Sequence, residues 1–550
     1  MKRRAIRPTA LTPRLLSLVL VALLLGVFFR VINLDKKVYW HDEVYTSMEM
    51  TAQRRSEVVE QLFTGQIVTR DELQAFQRFR PERGLGELLT SLGQEDPQHP
   101  PLYYILGRFW VQMFGDSVVV LRSLAVVFGL LVLVCAYWLC MELFQAPAIA
   151  LMTVGLLALS PYHVLYAQES REYSLWAALI LASSALLLRA LRLGTWPHWA
   201  LYSLSIAAGL YTFLFTGLVG IAHGFYVLLN GGISHQWEKW RVTHAGIAYL
   251  GWSLVAIAAF APWLYFLVKY RDVLSNTTGW ARESLPLWVM AKASALNFSR
   301  ILMDFDWNPD TFSLWWLTIP LLVLEGYALI FIRKNAPRHI WTFVWTLTII
   351  PTLILALPDL VLGGQRSIVG RYLVPSFLGL HLAVGYLLTM KIEVFGAKNR
   401  KFWRAIALLL FFLGFLSNAV SSQAETWWNK GISYHIPAIA RTLNEANQPI
   451  VISDDFGINV GNLIALSYRT NDSVRFYLLP HETEINLSPD QFPDNSEIFV
   501  FYLPEIERNQ IQQSLGKPLN EVGWHLWKLE PEEPTTGAIA PRRASVLSMI

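Results

Sequence analysis

Four short stretches gather side chains that could move a proton or hold an anion. WHDEVY (40–45) brings Asp42 and Glu43, and EDPQHPPLYY (95–104) brings Asp96 and His99. LYAQESREYSL (165–175) brings Gln168, Glu169, Arg171 and Tyr173, and GQRSIVGRYLVP (364–375) brings Arg366, Arg371 and Tyr372. A positioned carboxylate can take a proton from a weak nucleophile. A guanidinium stays charged and binds phosphate through two parallel hydrogen bonds. Each stretch alone has an ordinary explanation: a solvated acid pair, a turn histidine before prolines, a surface ion pair worth little, an interfacial arginine. Their common position at the ends of apolar runs gives them weight together.

Those runs dominate the chain. Of 550 residues, 54% are hydrophobic and only 16% charged, with a mean hydropathy of +0.36. Soluble domains carry about a quarter charged residues, so the composition is that of an integral membrane protein. The net charge of +4 is small and scattered, which argues against a nucleic-acid partner. Runs of spanning length fall at 14–33, 118–143, 147–165, 173–192, 198–214, 216–231, 244–268, 312–332, 340–357, 373–391 and 403–420. The first follows MKRRAIRPTALTPR and has no small-residue cleavage site after it, so it reads as a retained helix. Cys135 and Cys140, five apart on one helix, point in different directions and do not pair.

Eleven spans put the termini on opposite sides. Lys and Arg mark cytoplasmic loops. One alternate set of loops collects Lys2, Arg3, Arg4, Arg7, Arg189, Arg192, Lys239, Arg241, Arg333, Lys334 and Arg338, with KNRKFWR at 398–404. The N-terminus is therefore expected in the cytoplasm. The loops at 34–117, 166–172, 269–311 and 358–372 face outside, with everything after Ser421, and all four polar stretches then share the outer side. Helices are expected within the outer loops at 48–64, 70–79, 100–114 and 285–303, the last two lying along the membrane surface or covering the bundle. From 422 the composition becomes that of a soluble α/β domain reaching 530. Strands are expected at 449–454, 474–479, 497–503 and 523–530, and helices at 433–446, 457–467 and 504–515. Residues 531–550 read as a flexible tail.

The ordered series of outer-loop DE, HPPLYY, AQESREYSL and GRYLVP resembles the bacterial relatives of the protein O-mannosyltransferase and aminoarabinose transferase families. These are GT-C glycosyltransferases that use polyprenyl-phosphate sugars. The likeness covers residues 10 to about 420 in architecture. It implies a polytopic α-helical membrane protein of GT-C type in the plasma membrane, with a transmembrane domain at 1–421 and an extracytoplasmic α/β domain at 422–530. It implies an inverting transfer of a hexose or pentose from a polyprenyl-phosphate donor to an acceptor hydroxyl on a protein, lipid or glycan, at the outer face. Asp42 takes the place of the base, beside Glu43. His99, Arg171, Tyr173, Arg371 and Tyr372 take the donor-phosphate positions. His99 stands where aminoarabinose transferases resemble KPP, so a fixed charge is exchanged for a mostly neutral ring. Some members use a divalent metal ion, for which Glu43, His99 and Glu169 have the right donor types.

Two other readings compete. A transporter or flippase of polyprenyl-linked sugars would place ionisable groups near the bilayer midplane, whereas Glu325 is the clearest such group within these runs. A non-catalytic receptor would leave the DE and QESREY stretches without a task.

Overall fold

A computed structural model describes residues 8–236, 239–306, 315–395, 399–481 and 483–530. The basic residues Lys2, Arg3, Arg4, Arg7 and Lys398, the first residues of the expected span 312–332, and the tail 531–550 lie outside these. The chain forms two compact units. One comprises Met1–Arg55 with Phe76–Tyr434, the other Ser56–Ala75 with the residues from His435 onward.

The first unit is a helical bundle. Among the described residues, eight of its helices are long and apolar enough to cross a membrane: Pro13–Val31, Val118–Phe144, Tyr173–Leu193, His244–Lys269, Trp315–Asn335, Arg338–Leu362, Gly370–Val394 and Arg400–Ser433. Pro147–Ala158 and Pro161–Ala167 make a ninth if the pair, bent by 62°, is one span. Nine of the eleven expected runs fall on these helices. The runs at 198–214 and 216–231 form helices Trp196–Thr212 and Thr216–Val227, of 17 and 12 residues. At 1.5 Å per residue these are about 26 and 18 Å long, short of a hydrocarbon core about 30 Å thick.

The bend has a local cause. Pro161 restarts the helix at its first turn, where a missing N–H costs nothing, and the break frees carbonyls that lipid cannot satisfy. Arg30, fully buried in the first helix, donates from Nη1 to Ala158 O (2.6 Å) and Gly26 O (2.8 Å). Asn418 Nδ2 donates to Leu159 O at 3.0 Å. Gly26 permits the approach: a Cβ there would stand 2.5 Å from Ala158 O. The break aims the second half of the pair at the 168–172 loop, so a buried arginine and a glycine in the first helix help set where Glu169 and Arg171 lie. Outside the long helices, His41–Met50, Leu85–Glu95, Leu102–Phe114 and Leu287–Ser299 are also helical. Cys135 and Cys140 are free and buried.

The second unit is built on a six-stranded sheet. Its strand order is Gln66–Thr69, Arg475–Leu479, Ile450–Asp454, Ile498–Phe501, Leu526–Leu529 and Leu519–Gly523. The two pairings that Ile450–Asp454 makes with its neighbours are parallel, and the three outer ones antiparallel. Every residue of Ile450–Asp454 is buried, as expected for a strand covered on both faces. On one face Ile450, Ile452, Tyr477 and Val500 pack with Ile485, Leu487, Phe492, Ile511 and Leu515. The edge strand Gln66–Thr69 comes from the first long loop, and its sequence gives no sign of so distant a partner.

Candidate active site

Asp42 and Glu43 open the helix His41–Met50, where carboxylates suit the positive end of the helix dipole. Successive helical residues point about 100° apart, and this separates their fates. Glu43 turns inward and is fully buried. Its Oε1 accepts from Arg122 Nε (2.7 Å) and Ser170 N (2.8 Å), and its Oε2 from Arg122 Nη2 (2.6 Å) and Lys430 Nζ (3.2 Å). Arg122 also donates to Leu34 O, Lys37 O and Val38 O at 2.6–2.9 Å. One guanidinium on Val118–Phe144 thus fastens both the 34–38 segment and the helix that carries Asp42. Burial works to raise the Glu43 pKa, but Arg122 and Lys430 outweigh it and hold the carboxylate ionised below its usual range.

Asp42 turns the other way, and its side chain keeps 19% of its exposure. Its Oδ2 accepts from Arg371 Nη1 at 3.2 Å, across 329 residues of sequence. Arg171 Nη1 donates to Thr46 Oγ1 (2.7 Å) and to the Asp42 carbonyl (3.3 Å), and Thr46 Oγ1 donates to that same carbonyl at 2.8 Å. Burial raises the Asp42 pKa, while Arg371 and Arg171, then His41 and His99, pull it down; the net shift is downward. The Nε atoms of Arg171 and Arg371 have no hydrogen-bond partner among the described residues. The Tyr173 ring lies against both cations, at 5.7 Å from Arg171 and 5.9 Å from Arg371, and the Tyr372 ring lies 5.9 Å from Arg371.

The remaining expected residues surround this pair. His99 Nδ1 stands 3.1 Å from Glu172 Oε1, which Arg171 Nη2 also reaches at 3.3 Å. Burial raises the Glu172 pKa, but Arg171 and His99 prevail and lower it to about 2. Asp96 sits 3.8 Å from His99 Nε2; its pKa is raised by burial against the pull of His99 and Arg171. Glu169 is sealed, with Oε2 accepting from Lys430 Nζ (3.0 Å) and from Asn429 Nδ2. Burial, with Glu43 close by, raises the Glu169 pKa despite Lys430.

The structure therefore brings Asp42, His99, Arg171, Tyr173, Arg371 and Tyr372 into one constellation and departs from two expectations. Glu43 cannot act on a substrate, because four donors already occupy its two oxygens. Glu43, His99 and Glu169 do not gather as metal ligands. The two glutamates face Lys430, whose charge sits where a metal ion would, and His99 faces Glu172 instead. No chemical step is assigned to a metal here. Sequence reading missed Arg122 and Lys430 and took Glu172 only as part of a surface ion pair with Arg171. A lone arginine within an apolar run, as at 122, is the signal that could have found the first.

A multi-helix bundle with acids and guanidinium groups gathered at one end, accompanied by an α/β unit, is the kind of fold expected from the motif resemblance. The comparisons agree with the resemblance drawn from the motifs. Residues 98–266 match the family model of dolichyl-phosphate-mannose-protein mannosyltransferase, a segment that includes His99, Arg122, Glu169 and Arg171 but neither Asp42 nor Arg371. The fold is that of ArnT from Cupriavidus metallidurans. The ArnT crystal structure bound to undecaprenyl phosphate matches with a TM-score of 0.51 and 14% identity, covering 94% of this chain and 98% of that one. The apo structure of the same protein matches with a TM-score of 0.50 and 13% identity, over 94% and 97% of the two chains. No curated protein matches the chain in sequence.

Proposed function

We propose that this chain is an inverting glycosyltransferase that moves a sugar from a polyprenyl-phosphate donor to an acceptor hydroxyl at the outer face of the plasma membrane. The observation that carries this reading is the 3.2 Å contact between Asp42 and Arg371, a base and an anion-binding cation brought together across 329 residues of sequence. The undecaprenyl phosphate held by the similarly folded ArnT supports a prenyl-phosphate donor. The basic residues of the alternate loops support a cytoplasmic N-terminus and an outward-facing site.

The acceptor oxygen attacks the anomeric carbon as the bond from that carbon to the phosphate oxygen breaks. The bonding pair leaves with the polyprenyl phosphate, and the hydroxyl proton passes to Asp42. Attack opposite the leaving group inverts the anomeric configuration. Arg371 and Arg171 stabilise the growing phosphate charge, so the leaving group needs no proton. A base works best with a pKa near the operating pH, and Asp42 paired with Arg371 lies below that. The donor phosphate resolves the mismatch by drawing Arg371 to itself, which loosens its hold on Asp42. Glu43, Arg122 and Lys430 position the helix from beneath. A hexose or pentose as the sugar, and a protein, lipid head group or surface polymer as the acceptor, are all compatible with this chemistry.

The test is reconstitution in liposomes with a labelled polyprenyl-phosphate sugar, followed by NMR of the product's anomeric centre. Transfer with inversion by the wild type, absent in Asp42→Asn, is expected. Full transfer by Asp42→Asn would overturn the base assignment. Movement of the labelled carrier across the bilayer with no glycosidic product would establish a flippase instead.

A further inference from the structure

We infer that the second unit carries a divalent-cation site of the zinc class, formed by Asp454, His481 and Glu507. A ring nitrogen of His481 and one carboxylate oxygen from each acid all lie within 4.8 Å of one another. This is the one such group of three or more among the described residues, and it is separate from the acids around Asp42.

Topology places the cluster. Asp454 is the last residue of Ile450–Asp454, His481 follows Arg475–Leu479 by two residues, and Glu507 lies in the first turn of the helix Glu505–Leu515 that follows Ile498–Phe501. All three therefore sit at the carboxyl ends of the three mutually parallel strands. The chain leaves Ile450–Asp454 through helix Asn459–Ser467 to reach the strand on one side. It then returns through 480–497 to the strand on the other side, with Ile485, Leu487 and Phe492 packed on the face that holds Ile511 and Leu515. Connections on opposite faces open a crevice at the carboxyl edge of a parallel sheet, the position where such sheets bind ligands.

The donors are held in place. Asp454 is buried, 3% exposed, and its Oδ1 is engaged by Phe456 N (3.2 Å) and Asn459 Nδ2. Its Oδ2 points to His481 Nδ1 at 2.9 Å. The imidazole is fixed by a stacked Phe456 ring (centroids 4.3 Å apart, 27° between planes), and His481 N donates to Asp455 Oδ1 at 2.7 Å. Glu507 Oε2 is shielded from solvent and has no hydrogen-bond partner. An unpartnered, solvent-shielded carboxylate oxygen is costly unless something answers it. The helix dipole favours an acid at that position but does not account for its convergence on Asp454 and His481. In a tetrahedral zinc site with bonds of about 2.0–2.2 Å, neighbouring donor atoms lie about 3.3 Å apart. The widest separation in the group, up to 4.8 Å, exceeds that spacing by about 1.5 Å. One nitrogen and two carboxylate oxygens are donors of the types zinc binds, and three of them leave a fourth tetrahedral position for water or an anionic oxygen.

The test is isothermal titration of EDTA-stripped full-length protein in detergent with zinc chloride. The wild type is expected to bind one equivalent and to melt at a higher temperature with zinc than without. His481→Ala and Glu507→Gln are each expected to lose at least tenfold in affinity while keeping the zinc-free melting temperature. X-ray absorption of the zinc-loaded wild type should show a single imidazole ligand. No zinc binding by the wild type, or unchanged affinity in both variants, would overturn the site. If a variant fails to fold, a ligand shell in the wild type without imidazole overturns it independently.

Discussion

Asp42 and Glu43 are neighbours in sequence with the same chemistry, yet they belong to two different regions. Around Glu43 everything is closed: two cations and a backbone N–H fill both oxygens, and no solvent reaches them. Around Asp42 the arrangement is left open, with one contact to Arg371, partial exposure and spare guanidinium donors nearby. A carboxylate becomes available for chemistry when its surroundings are incomplete, and becomes scaffold when they are complete. A helical step of about 100° is enough to separate the two.

Exchanging the two acids for their amides should break the comparison most sharply. Asp42→Asn is expected to lower turnover by about 10²–10⁴, the usual contribution of a general base, with an unchanged melting temperature. Glu43→Gln should act through stability, leaving Arg122 and Lys430 uncompensated at a cost of about 3–5 kcal/mol. Thermal unfolding in detergent, measured beside turnover, separates the two effects, and a Glu43→Gln protein that melts normally but is inactive would merge the regions. Arg122→Met should destabilise to a similar degree, and adding Glu43→Leu should recover most of that loss, since an apolar replacement of a whole buried pair is often neutral.

Arg371→Lys probes the open side. It keeps the charge and loses the planar fork. If one charged hydrogen bond worth about 1.5–3 kcal/mol is lost, the donor KM rises roughly ten- to a hundredfold, read from donor titrations at saturating acceptor.

The smallest effect concerns acid. Glu172 falls from 4.5 to about 2 in the folded protein. Between those values the unfolded chain binds a proton that the folded chain does not, so stability rises with pH there. Its contribution is complete above about pH 4.5 and lost as pH falls toward 2. Melting curves of Glu172→Gln against wild type should show the variant less sensitive to pH across that window.

Much of this was legible before any coordinates. Long apolar runs specify spanning helices, because length and hydropathy are local properties. The central strands at 450–454, 475–479 and 498–501 announced themselves by β-branched and aromatic residues. Polar residues stranded at helix ends pointed to the constellation around Asp42. What escaped was non-local. Trp196–Thr212 and Thr216–Val227 have the hydropathy of spans but not the length, and only the fold shows where each stops. Leu519–Gly523, reading LNEVG and largely exposed, lacks the pattern of a strand and exists through its neighbour. The roles of Arg122 and Lys430 depend on which carboxylate each meets, 79 and 387 residues away from Glu43.

The strand Gln66–Thr69 has a consequence for how this protein is made. It pairs with Arg475–Leu479, about 400 residues further along the chain. At roughly 5–20 residues per second of synthesis, it waits on the order of 20–80 seconds for its partner to emerge. A fragment beginning at His435 would offer an uncovered sheet edge, a template for aggregation. Soluble production of the second unit therefore calls for a fusion that supplies residues 56–75 alongside it.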